Sequence, residues 1–567
     1  MYSRLQLSRL AVVFLNLLLC LNANSQKLFT DVTDSAGITH QYKVYEGTFG
    51  GGAVVFDINN DGLEDIFIAG GMNSDVLYLN EGNGTFRDIY SESGLEKSNE
   101  YVTQGAVSAD VNKDGLRDLF ITTITTTDGA KTIPRAENLL FLNQGNLTFK
   151  DVTKEYGLEE LNSFSTGASF GDINADGYPD LFIGNYFQEF KGKLGIIKDA
   201  TIVSANQTAK SYLLLNIEGK KFEDVYDSYE LGHKGFGFGG VFTDFDNDQD
   251  QDLLVNQDFG YKAIPNFLYK NQYPKANFKD VSQETGMDLK INAMGSAVGD
   301  YNGDGWMDYY VTNIKFNMLM ENQGKNGSFI DRAKELGTYN LAISWGANFA
   351  DFDQDTDLDL FVSNGDLNPN CTPMGNFYFE NTQTKFLERG RELKINDYGI
   401  GRGSVVFDMD NDGDLDLLVV NQEPILEYPT SSLTRLFRND LSDGNWIKIA
   451  LHGIWSETSG IGSRITIICN GKRMIREVDG GGSSHLSQNS VLTHFGLGKA
   501  KVVDSIIVDW TGGNQQVFTN IKSNQLLKIE ETEPKTNYSK FGIPTLVTIL
   551  VLIIVFYLFK KYQHRDK

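Results

Sequence analysis

Histidine, cysteine and positive charge are all scarce in this 567-residue chain, and each shortage closes off a class of function. Only six histidines occur, and no H-E-x-x-H, G-x-S-x-G, P-loop or dinucleotide fingerprint stands in a context that would make it work. An enzyme needs a convergent acid, base or nucleophile, and no such set is visible, so the chain is read as a protein without catalytic residues. Of the three cysteines, only Cys371 and Cys469 lie outside the N-terminal apolar stretch, far apart in sequence, which excludes a disulfide framework. Fifty Lys and Arg face 75 Asp and Glu, for a net charge of −25. With no basic stripe, a nucleic-acid partner is excluded.

Long apolar runs are rare too, and the two that exist lie at the ends. Residues 1–25 read as a secretory leader: Arg4 and Arg9 open it, Leu10 to Leu21 form its apolar part, and Ala23-Asn24-Ser25 offers a small-residue cleavage site. Phe541 to Phe559 is an uncharged apolar run of 19 residues, long enough to cross a bilayer. Lys560, Lys561, Arg565 and Lys567 follow it. These features predict a single-pass protein of the cell membrane, its bulk extracytoplasmic and its C-terminus cytoplasmic.

What the chain does have is an acidic pattern, D-x-[DN]-x-D-x-x-x-D, seven times over, at intervals of 51 to 72 residues. Recurrence on this scale marks a repeat architecture. Alternating carboxylates and amides around a tight turn supply the hard oxygen ligands that calcium prefers. The expected ligands are positions 1, 3, 5 and 9 of each copy. They are Asp57, Asn59, Asp61 and Asp65; Asp110, Asn112, Asp114 and Asp118; Asp172, Asn174, Asp176 and Asp180; and Asp244, Asp246, Asp248 and Asp252. The last three sets are Asp300, Asn302, Asp304 and Asp308; Asp351, Asp353, Asp355 and Asp359; and Asp408, Asp410, Asp412 and Asp416. About seven structural Ca²⁺ ions are expected, and they would offset more than half of the negative charge. Gln249 and Thr356 replace the turn glycine at position 6 in the fourth and sixth copies, where a positive φ is wanted.

Each copy is embedded in a longer unit. A glycine stands five residues before the first Asp (Gly52, Gly105, Gly167, Gly239, Gly295, Gly346, Gly403), and an apolar run such as "DLFIGN" follows the ninth position. Position 12, a bidentate Glu in an EF-hand, is Ile or Val here, so the loop feeds a strand. A third strand ends at Asn80, Asn143, Asn216, Asn271, Asn322, Asn381 or Asn439, and a fourth carries Phe-x-Asp/Glu. Four strands per repeat make a propeller blade. The seventh unit lacks its fourth strand, and Phe29-Thr-Asp31 supplies the pattern at the other end, so the N-terminus is expected to close the ring.

The repeat region resembles the FG-GAP/VCBS propellers of integrin α subunits. "GIGSRITI", "REVDGGGSSHLSQNS", "HFGLG" and "VDSIIVDWTGG" resemble the ASPIC/UnbV domain of cartilage-acidic-protein-like proteins, with His485 where an aromatic is usual and Thr511 where Pro is common. The expected organisation is a leader (1–25), an all-β seven-bladed propeller (26–445), a small β-rich ASPIC/UnbV domain (446–531), a linker (532–540), a transmembrane helix (541–559) and a tail (560–567). The resemblance implies calcium-dependent recognition or adhesion at the cell surface, with an extracellular glycan or a surface protein as partner. Two other readings are a carbohydrate-active enzyme, a lyase or hydrolase centred near the propeller axis, and a scaffold subunit of an envelope complex. Long connections on the face away from the acidic loops, 186–212 above all, are where ligand contacts are expected; the aromatics Tyr186, Phe187, Phe259, Tyr261 and Tyr428 could stack on sugar rings or anchor a protein partner, with packing of the loops the alternative for half of them.

Overall fold

The computed structural model describes residues 28–533 except 46–48, 127–131, 134, 160, 162–163, 188–207 and 443. The innermost strands of seven sheets are Ala53–Phe56, Val102–Ala109, Ser165–Gly171, Gly237–Thr243, Ser296–Gly299, Leu341–Ala350 and Gly401–Phe407. In each sheet the acidic loop turns the chain into a second antiparallel strand beginning at position 9, such as Asp180–Asn185, whose residues are all buried. Continuous apolar sequence is what a strand covered on both faces requires. Third and fourth strands complete each blade, and in the sixth an extra strand, Ile314–Phe316, adds to the edge. Phe29–Asp31 pairs antiparallel with Arg435–Asn439, so the start of the described chain completes the seventh blade.

A ring of side-chain amides ties the blades together. The asparagine ending each third strand donates its Nδ2 to the position-2 carbonyl of the preceding blade's acidic loop. The seven bonds are Asn80 to Met409, Asn143 to Ile58, Asn216 to Val111, Asn271 to Ile173, Asn322 to Phe245, Asn381 to Tyr301 and Asn439 to Phe352, all 2.8–2.9 Å. The circuit closes from blade seven to blade one without a gap. These amides are buried, where an unmade bond is costly.

After Asn439 the chain builds two further sheets. One has three strands, Thr493–Gly498, Asn445–His452 and Leu526–Glu530; the other has four, Lys472–Glu477, Arg464–Cys469, Val502–Asp509 and Gln515–Lys522. Ile447, Ile465, Phe495, Val508 and Trp510 form its interior, which is continuous with Val107, Phe120 and Phe170 of blades two and three. The C-terminal domain therefore shares a core with the propeller.

The expected transmembrane helix, and the single-pass membrane placement drawn from it, are corrected. Among the described residues no helix is long and apolar enough to cross a membrane. The apolar residues there are divided among short strands, and the helical pieces are single turns such as Ser282–Thr285. Residues 541–559, like the leader, lie outside the described residues.

Candidate cation ring and the filled axis

The acidic loops all lie on one face of the ring, each between the first and second strands of its blade. In the first loop Asp57 accepts the N–H groups of Asp61 (3.1 Å) and Gly62 (2.7 Å), which curls the loop around its carboxylate. The curl requires left-handed backbone at positions 4 and 6, with φ of 60° at Asn60 and 87° at Gly62. Gln249 (φ 73°) and Thr356 (φ 87°) adopt that conformation without being glycine. Position 4 carries a second function that the pattern did not disclose. The amides of Asn60, Asn247, Gln354 and Asn411 reach the position-6 carbonyl of the next loop, at Gly115, Gly305, Gly413 and Gly62.

Positions 3 and 5 meet in four of the loops. Asn59, Asn112, Asn174 and Asn302 donate to Asp61, Asp114, Asp176 and Asp304 at 2.9–3.0 Å. In the other three loops three carboxylates each offer an oxygen within 4.8 Å of the others: Asp244, Asp246 and Asp248; Asp351, Asp353 and Asp355; Asp408, Asp410 and Asp416. Position 9 has a structural duty as well. Asp65 accepts the N–H of Ile58 (3.0 Å) and of Asn80 (2.8 Å), and the equivalent aspartate accepts from the third-strand asparagine in every blade. Burial drives these groups upward, Asp65 to about 7 and Asp180 well above the usual carboxylate range. Buried oxygens of Asp246, Asp308, Asp351 and Asp410 have no hydrogen-bond partner. A cation would suit such a donor set, because it relieves both the desolvation and the mutual repulsion.

The C-terminal domain lies against this face and meets it with basic side chains. Lys448 binds Asp408 (2.6 Å) and Asn411 (2.7 Å), with both members of the ion pair buried. Arg464 donates to the Asp244 carbonyl (2.7 Å) and pairs with Glu477, and Lys472 holds Asp357 and Thr356 (both 2.5 Å).

Residues 480–490 of that domain run into the propeller axis. Gln488 donates to the Ala53 carbonyl (3.0 Å), Ser484 to that of Ser296 (2.9 Å), and Phe170 donates to that of Gly480 (2.8 Å). The axial glycines make room for this guest. A Cβ at Gly52 or Gly105 would collide with the Leu486 carbonyl, and one at Gly403 with the Ser487 hydroxyl. His485 forms the tip, 1 % exposed, with its ring 4.9 Å from Trp345 and 5.6 Å from Phe238 and Nδ1 against the Met294 carbonyl (2.8 Å). Burial lowers its pKa to about 3, so the ring is neutral. Beyond it Phe49, Tyr186 and Phe238 close the axis with centroids 4.5–5.2 Å apart. The axis, where a carbohydrate-active centre was considered, is thus filled by the chain itself.

The expected ligand aromatics divide accordingly. Tyr186, Phe187 and Phe259 are buried in this cap and are corrected to packing residues. Tyr261 is exposed, and Tyr428 is half-buried with its hydroxyl on the Tyr398 carbonyl (2.8 Å). The longest connection, 186–212, lies for the most part outside the described residues.

The model of the FG-GAP-like repeat matches residues 57–121, 110–183, 244–311 and 300–362, and that of ASPIC and UnbV matches 453–536. The chain is a propeller of FG-GAP repeats followed by an ASPIC/UnbV domain. Cartilage acidic protein 1 of Xenopus tropicalis is 25% identical over 523 residues, covering 87% of this chain and 75% of that protein. The Homo sapiens protein of that name is 23% identical over 531 residues, covering 89% and 75%. Integrin alpha-8 of Mus musculus is 26% identical over 192 residues, 30% of this chain and 17% of that one. Over most of its length the chain is thus similar to cartilage acidic protein 1. With such repeats and relatives it is a propeller of the extracellular recognition type.

Proposed function

We propose that this protein recognises an extracellular glycan or protein through the propeller face away from the acidic loops, and that calcium in those loops holds the scaffold rigid. The observation that carries this reading is the occupation of the other surfaces: the C-terminal domain packs on the loop face, and residues 480–490 fill the axis. Connections between blades, and between second and third strands, remain for recognition. They expose large apolar side chains at Leu367, Tyr398, Ile425 and Leu426, each 42–52 % accessible. Variable loops on a rigid support are where binding concentrates. Unpartnered buried oxygens in the loops support the calcium reading.

The test is binding of the protein to extracellular-matrix glycans and proteins, compared with Tyr398→Ser/Leu426→Ser. Binding is expected to fall at least tenfold while the melting temperature stays within a degree or two, since both side chains are exposed. Binding that survives the double substitution would place recognition elsewhere.

A further inference from the structure

Loop four differs from the rest of the ring in what occupies its centre. Lys270, one residue before the third-strand asparagine, turns its ammonium into the loop, where it pairs with Asp246 and with Asp248 (2.9 Å). Those carboxylates are two of the three that converge with Asp244. Arg464 approaches the third, with Nη2 3.5 Å from its carboxylate and Nη1 on Asn247. Two side-chain cations therefore bring to loop four the double positive charge that a divalent ion would bring. An ammonium has three donors and suits a seat lined by carboxylate oxygens.

No other blade repeats the arrangement. The position of Lys270 is Leu79, Leu142 and Leu215 in blades one to three, Glu321 and Glu380 in five and six, and Arg438 in seven. Arg438 is engaged with Asp440 at 3.0 Å. Lys448 touches only one of the three converging carboxylates of loop seven, on the Asp408 oxygen that also accepts the Gly413 N–H (2.9 Å).

We propose that loop four is seated on a lysine: the Lys270 ammonium stands where the other loops take a divalent cation, so six of the seven loops bind one. The inference rests on the calcium reading of the ring and sharpens it. Calcium entering loop four would have to displace the ammonium from both carboxylates and would then lie beside the like charge of Arg464.

Bound calcium per chain, counted by metal analysis after equilibrium dialysis at millimolar calcium, is the test, with wild type and Lys270→Leu side by side. Leucine is the residue of blades one to three at this place. Wild type is expected to hold six ions and the variant one more. Seven ions in wild type would overturn the proposal whether or not the variant folds. An equal count in both proteins, at six, would overturn it too, because loop four would then be empty for another reason. No bound ions in either protein would overturn the calcium reading itself. A second variant, Glu380→Lys, copies the lysine into loop six and is expected to remove one ion.

Discussion

Loops four and six are nearly the same sequence, D-F-D-N-D-Q-D-Q-D and D-F-D-Q-D-T-D-L-D, yet the fold puts them to different uses. Both lack the turn glycine and both gather three carboxylates. In loop six, burial and then the neighbouring Asp355 push Asp353 up to about 6, and Asp351 keeps a buried oxygen without a partner. In loop four, burial raises Asp246 and the hydrogen bond from Lys270 offsets part of that rise, although one Asp246 oxygen is also buried without a partner. The equivalent of Lys270 in blade six is Glu380, which pairs with Arg389 and adds negative charge beside Asp353 and Asp355 instead of neutralising them. On the proposed reading, a loop motif states which atoms can surround an ion, and a residue one strand away decides whether an ion is needed.

The largest contrast is expected from removing position 3 in each loop. Asp353→Ala should lose one calcium ion and about 1.5 kcal/mol of stability at millimolar calcium, and the loss should vanish in chelator. Asp246→Ala should leave the ion count unchanged and cost less than about 1 kcal/mol, the worth of a partly exposed pair. Metal analysis with melts in both conditions reads the difference; equal ion loss in the two variants would break the contrast. A smaller difference is expected at position 6. Gln249→Gly relieves a left-handed residue and should add about 0.5–1 kcal/mol in denaturant unfolding. Thr356→Gly relieves the same strain but gives up the Lys472 contact, so its gain should be well under half of that.

The repeat, the blade and the ring closure through Phe29–Asp31 could all be read in the sequence, because each rests on local periodicity repeated seven times. The third-strand asparagines were visible only as strand ends; their service to the preceding blade depends on how blades pack, which no single repeat encodes. Residues 480–490 were legible only as part of the ASPIC/UnbV resemblance, with nothing to place them in the propeller axis. Ser484, His485 and Leu486 are consecutive left-handed residues (φ 49–61°), a conformation no helix or strand pattern announces. The axial glycines were legible as a fixed feature of every unit, but their guest comes from a different domain. Lys270 was unread for the same reason: the pattern ran along the loop, and the lysine enters from across the sheet.

Hydrogen exchange of the loop amides, with and without chelator, tests most directly whether the acidic ring is a metal-structured scaffold with one lysine-seated member. Chelation is expected to speed exchange at Gly62, Gly115, Gly177, Gly305, Thr356 and Gly413, whose N–H groups sit on position-1 aspartates, and to leave Gln249 unchanged. Protection indifferent to chelator in all seven loops, or lost equally in all seven, would contradict it.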